Sequence, residues 1–168
     1  NGYSFIRKIF LDTYNYKLDD YIEELEMTLG EALLTPTKIY VKLVLDLLKQ
    51  YDIKSIAHIT GGGVIENIPR VIPKGLGIDI NKNSWEKPAI FKLIEGFNAI
   101  DERELHKSFN MGIGLVMVVE KDKVDDVVNF INSREDKIDI DKKYNDLLKD
   151  KAYIIGEVVD THEGVNLC

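Results

Sequence analysis

The chain has 168 residues, is 45% hydrophobic, and carries 22 basic against 29 acidic side chains for a formal net charge of -7. One domain spanning residues 1–168 is expected, burying roughly 70% of its unfolded surface. The acidic surplus runs along the whole chain, so no clustered basic face is available for nucleic acid. The only cysteine, Cys168, excludes an internal disulfide and a thiolate metal cluster, and no metal-ligand spacing links the three histidines. The longest apolar run, around Ile113 to Val119, is too short to span a bilayer, and the first residues do not read as a signal peptide. A cytoplasmic setting is expected.

In chain order, Phe5, Ile6, Ile9 and Phe10 recur at helical spacing between Tyr3 and Tyr14, with Arg7, Lys8 and Asp12 on the other side. A polar stretch with Leu18 and Tyr21 follows. Pro36 marks a boundary, and Tyr40 to Lys49 again reads as helix. "SIAHIT" then predicts a strand, "VIENIPRVI" a short helix limited by Pro69, and "LGIDI" (76–80) a second strand. "KPAIFKLIEGF" is helical with Pro88 near its first turn, and "DERELHKSF" is a helix opened by Asp101. "GIGLVMVVE" predicts a strand buried on both faces. "KVDDVVNFINSRE" is helical, and "AYIIGEVVDT" closes as a strand. The charged stretch 135–151 reads as a solvated insertion, partly helical. The predicted class is α+β: a mixed sheet with packed helices, partly ferredoxin-like.

Chemistry points first to Gly61, Gly62 and Gly63, which follow a strand and precede a helix. Bare main-chain amides there can hold an anion such as a phosphate; a tight strand-to-helix connection with no ligand explains them equally well. Glu66 in the first helical turn opposes an anion, the helix dipole is worth only about 0.3–1 kcal/mol, and no Lys-Ser or Lys-Thr pair makes this a P-loop. Asn67 and Arg70, three apart, can offer an amide and a guanidinium toward the loop. "SFNMGIG" (108–114) strips one face of a strand entry through Gly112 and Gly114, and it does not form a dinucleotide fingerprint. His58 reads as a hydrogen-bonded core imidazole, and His106 and His162 as solvated.

Taken together, "NGYSFIRKIF", "LLTPTKIYV", "IAHITGGGVIENIPRVIP" and "FNMGIG" resemble, in order and spacing, the C-terminal half of the aminoimidazole ribonucleotide synthetase (phosphoribosylformylglycinamidine cyclo-ligase) family. The resemblance covers nearly the whole chain. The wider superfamily includes formylglycinamidine ribonucleotide synthase, selenophosphate synthetase, thiamine-monophosphate kinase and a hydrogenase maturation factor. Asn-Gly-Tyr-Ser with Gly-Gly-Gly and Glu-Asn-Ile-Pro-Arg favours the cyclo-ligase.

The resemblance implies an ATP-dependent ring closure in purine biosynthesis. The formyl amide oxygen of formylglycinamidine ribonucleotide is activated by phosphorylation, a neighbouring nitrogen attacks, and phosphate leaves. It also implies that ATP and magnesium contacts and much of a homodimer interface belong to an N-terminal half, which this chain lacks. Asn1 in place of an initiator methionine fits a chain cut at that boundary. The piece is therefore expected to fold, to bind no cofactor and to be inactive alone. Carried over, the substrate- or phosphate-facing positions are Asn1, Gly2, Ser4, Thr60, Gly61, Gly62, Gly63, Asn67, Arg70, Asn110, Gly112 and Gly114, with no catalytic residue and no metal ligand assigned. The alternatives are the corresponding domain of the glycinamidine synthase, or a non-catalytic anion-binding module.

Overall fold

The computed structural model describes residues 1–134 and 144–168. The chain opens as helix α1, Tyr3–Ile6, which widens into a π-helical stretch, Arg7–Thr13. This is the amphipathic segment expected, and its apolar side, Ile6, Ile9 and Phe10, is buried in the main core. Tyr14 stacks on Phe97 with centroids 4.1 Å apart and fixes the end of that segment. Two-residue strands, β1 (Tyr21–Ile22) and β2 (Met27–Thr28), form a small hairpin where only a polar stretch was expected. Helices α2 (Leu29–Leu33) and α3 (Val41–Leu48) follow.

Strand β3, Ile53–His58, leads through the glycine run into helix α4, Gly63–Asn67, which tightens into a 3-10 turn over Ile68–Val71 at Pro69. Then come β4 (Gly77–Ile80), α5 (Ala89–Gly96), α6 (Glu102–Ser108), β5 (Leu115–Val119) and α7 (Val124–Asn132). Asp101 caps α6 by accepting a hydrogen bond from the Glu104 amide, as its sequence position predicts. Helix α8 (Asn145–Leu148) gives the insertion its helical part, and residues 135–143 of that stretch lie outside the described residues. Strands β6 (Gly156–Val159) and β7 (Gly164–Leu167) end the chain, so the closing segment is a pair of strands where one was expected.

The class is α+β, as expected, but the strands divide into small sheets. β3 and β5 pair antiparallel, Ile56 opposite Met117, which matches the central pair of a ferredoxin-like order. The flanking strands depart from that order: β4 pairs antiparallel with β6 and parallel with β7. β5 is half-buried along its length rather than enclosed on both faces, and among the described residues it pairs with β3 alone. The main core joins α1, the π-helical stretch, α4, β4, α5 and α6 through Phe10, Val64, Ile68, Ile80, Trp85, Ile94, Leu105, Phe109 and Met111. A smaller cluster, Leu43, Leu47, Val127 and Ile131, seats α3 against α7.

Candidate functional site

Three separate stretches of chain meet at Phe109. Its ring covers the bare Cα of Gly2, where a side chain would collide with the aromatic carbons and lie 3.2 Å from the Ser108 carbonyl. Its own carbonyl lies 2.8 Å from where a Gly63 side chain would begin, with the His106 carbonyl closer still. The glycine run thereby packs backbone against backbone on the end of α6, and the opening residues pack on the Phe109 ring. Phe5 and Phe91 meet the Phe109 ring at 6.1 and 5.8 Å between centroids and hold it in the core.

The three consecutive glycines do different things. Gly63 is buried with φ at +56°, and its neighbours leave no room for a methyl group. Gly62, at φ +100°, lies against the Glu66 and Asn67 side chains. Both therefore answer to backbone conformation and close packing. Gly61 does not: its φ is not positive, it is exposed, and a Cβ there would meet only the Asn1 side-chain oxygen, 3.8 Å away. Local packing thus gives no reason for glycine at 61.

Asn67 is 6% exposed. Its amide reaches the loop, as the sequence predicts, but is consumed by it: Nδ2 donates to the Gly61 carbonyl at 3.0 Å and to the Gly63 carbonyl at 2.8 Å. The Thr60 hydroxyl donates to Asn67 Oδ1 at 3.2 Å. Arg70, by contrast, is exposed, with its guanidinium 3.8 Å from Glu66. Lys107 approaches the other Glu66 oxygen at 3.7 Å. Lys107 also lies 3.8 Å from Glu104, so this rim sets two cations, Arg70 and Lys107, against two carboxylates, Glu66 and Glu104, and its local charge is balanced. Sequence spacing put Glu66 there as a repulsive group and missed Lys107, which comes from α6.

Asn1 and Ser4 are exposed, and Ser4 Oγ accepts from Arg7 at 3.4 Å. Asn110 Oδ1 accepts from the Gly112 amide at 3.0 Å and shapes the turn before β5. Gly112, at φ +97°, lies against the Pro88 ring, and the bare face of Gly114 is occupied by the Tyr40 hydroxyl. The chain's own neighbours fill both faces. Burial, and secondarily Asp150, pushes the Tyr40 phenol up from its usual range. The Gly114 carbonyl accepts from the Ile59 amide at 2.9 Å and ties β5 to the residue preceding Thr60.

All three histidine expectations need correcting. His58 is exposed, its ring edge-on to Tyr40 at 6.0 Å, because its side of β3 is uncovered. His106 is fully buried, not solvated. Its Nδ1–H donates to the Glu102 carbonyl at 2.9 Å, and Nε2 has no partner among the described residues, which costs about 1–3 kcal/mol. His162 is half-buried and bonded to Asp79 Oδ1 at 3.0 Å.

The family described as AIR synthase related protein, C-terminal domain, matches residues 1–167. A phosphoribosylformylglycinamidine cyclo-ligase from Thermoanaerobacter sp. (strain X514) is 47% identical over 99% of this chain and 45% of its own length. The protein of the same name from Pseudothermotoga lettingae is 47% identical over 98% of this chain and 44% of its own. The chain thus spans less than half the length of these curated relatives. The crystal structure of E. coli HypE, a hydrogenase maturation protein, superposes with a TM-score of 0.56 and 24% identity over 86% of this chain and 42% of that one, a likeness of fold. Among the described residues, no helix is long and apolar enough to cross a membrane. By motif order, fold and a match along its whole length, this chain belongs to the AIR synthase related proteins, as their C-terminal domain.

Proposed function

We propose that this chain is the substrate-side half of an ATP-dependent cyclo-ligase that converts formylglycinamidine ribonucleotide to aminoimidazole ribonucleotide. What carries the reading is Gly61: an exposed glycine beside Asn1, near the cations Arg70 and Lys107, with room that no other described residue uses. The 47% identity to proteins named for that reaction supplies the substrate class.

Ring closure of this kind is mostly positioning and charge neutralisation. In this reading, ATP supplies the phosphoryl group that turns the formyl oxygen into a leaving group. The residues here bind and orient. Asn1, Ser4, Thr60, Gly61 and Gly62 face the substrate and its phosphate, and Asn110 and Gly112 border them. Arg70 and Lys107 balance the negative charge once Glu66 releases them. Gly63 and Asn67 act from beneath the loop. Gly2 lets the opening residues lie on Phe109, and Gly114 lets Tyr40 close the far side.

No magnesium ligand is assigned to this chain in this reading. Magnesium and ATP are assigned to a preceding half, which also carries the homodimer contacts. The test is complementation. The isolated chain should release no ADP in response to formylglycinamidine ribonucleotide, and joining it to the preceding half of a relative should give substrate-dependent ADP release. Turnover by the chain alone, or none by the joined protein, contradicts the reading.

A further inference from the structure

Asn67 looks at first like a ligand contact, yet its amide is turned inward and both Nδ2 hydrogens are spent on carbonyls of the glycine loop. The consequence follows from peptide geometry. The described residues include no cis peptide bond, and in a trans peptide the carbonyl and the next residue's N–H point to opposite sides. Pulling the Gly61 carbonyl onto Asn67 therefore turns the Gly62 N–H away from Asn67, next to the exposed Gly61.

The loop has little else to fix that orientation. Gly62 sits at φ +100° and Gly63 at φ +56°, and glycine moves between such regions and their mirror images with little steric penalty. The Gly63 amide donates to the Thr60 carbonyl at 3.0 Å, which closes the turn but leaves the 61–62 peptide free to rotate. Asn67 in turn is kept from swivelling by the Thr60 hydroxyl on Oδ1, 3.2 Å away.

We propose that Asn67, held by Thr60, is a positioning residue that presents the Gly62 amide to the substrate without touching it. The proposal rests on the function assigned above to the same loop, and it adds the residue that sets the loop's working conformation. Asn67→Asp tests it with almost no change of shape. The introduced side chain, as a carboxylate, has no hydrogen to give to Gly61 or Gly63 and repels both carbonyls; once protonated, it regains one donor.

In the chain joined to its preceding half, the expected result for Asn67→Asp is a KM for formylglycinamidine ribonucleotide raised at least about tenfold at pH 8, as loss of a hydrogen bond to a charged group predicts. That KM should return toward the unsubstituted value as pH falls and the acid protonates, with kcat changing much less. In the isolated chain, the Gly62 amide resonance should shift with the same pH midpoint, so the loop claim stands or falls even where the joined protein fails to cyclise. A KM and a Gly62 resonance that follow the unsubstituted protein at every pH overturn the proposal. Should Asn67→Asp not fold, Thr60→Val replaces the hydroxyl that holds Asn67 with a methyl group; it is expected to broaden and shift the Gly62 resonance in the isolated chain, and an unchanged Gly62 resonance overturns the proposal equally.

Discussion

Gly63 and Gly77 each lie hard against another stretch of backbone, and the two places are held by different forces. At the glycine run, Gly63 lies under the His106 and Phe109 carbonyls, and the lock is the neutral Asn67 amide. At the far sheet, Val159 and Gly164 both stand opposite Gly77, so the turn 160–163 passes from one side of β4 to the other over Gly77. His162 in that turn occupies the space of a Gly77 side chain. Its lock is ionic: His162 Nε2 bonds Asp79 Oδ1 at 3.0 Å and Nδ1 bonds the Glu163 carbonyl at 3.2 Å. Both partners only accept, so the imidazolium alone makes both bonds. One lock is blind to pH and the other is set by it.

The sharpest way to break the first region is Gly63→Ala. A methyl group there meets two backbone carbonyls that cannot swing aside, at a left-handed φ. Strain and overpacking together put the loss at about 2–5 kcal/mol, to be read by urea denaturation of the isolated chain; a change under about 1 kcal/mol contradicts the packing described.

Gly77→Ala is the matching break in the second region, and its effect should be smaller. The φ there is not positive, and the obstacle includes a side chain that can leave. About 1–3 kcal/mol is expected, accompanied by loss of the pH dependence that the turn confers.

That pH dependence has a definite sign. Asn166 and then His162 hold the Asp79 carboxyl below its ordinary range, and Asp79 followed by the Glu163 carbonyl hold the His162 imidazole above its own. The His162 contribution is complete below its unfolded pKa of about 6.5 and is lost as pH rises through its raised folded value. The Asp79 contribution is complete above its unfolded pKa of about 3.9 and is lost as pH falls through its lowered value. His162→Gln should flatten the alkaline side of the stability profile and leave the loop at Gly61 to Gly63 unchanged, checked by thermal melts from pH 5 to 9. A slope that persists in the variant places the titration elsewhere.

The contrast also shows how far the sequence speaks. Periodicity located α3, α5, α6, α7 and strands β3, β4 and β5, since each repeats apolar residues over at least a turn or a few strand positions. β1, β2 and β7 carry too few residues, or too little apolar alternation, to register. The partner of His162 is 83 residues away, and no local pattern encodes it. His106 was legible but misjudged: it falls three residues before Phe109 on the inner side of α6, and its polarity drew it toward solvent although helical register places it inside. Asn67 was expected to reach the loop and does so, but its burial beside Gly63, Val64 and Ile68 was not anticipated.

What motif order could not do was separate the three glycines, because identical letters conceal two packing positions and one open one. Gly61→Ala separates them. In the isolated chain its stability should stay within about 1 kcal/mol of the unsubstituted protein, since the methyl group enters open space at an ordinary φ. In the chain joined to its preceding half, the same methyl stands where substrate must approach, and kcat/KM for cyclisation should fall about 100-fold or more. Full stability with unaltered cyclisation would contradict the account.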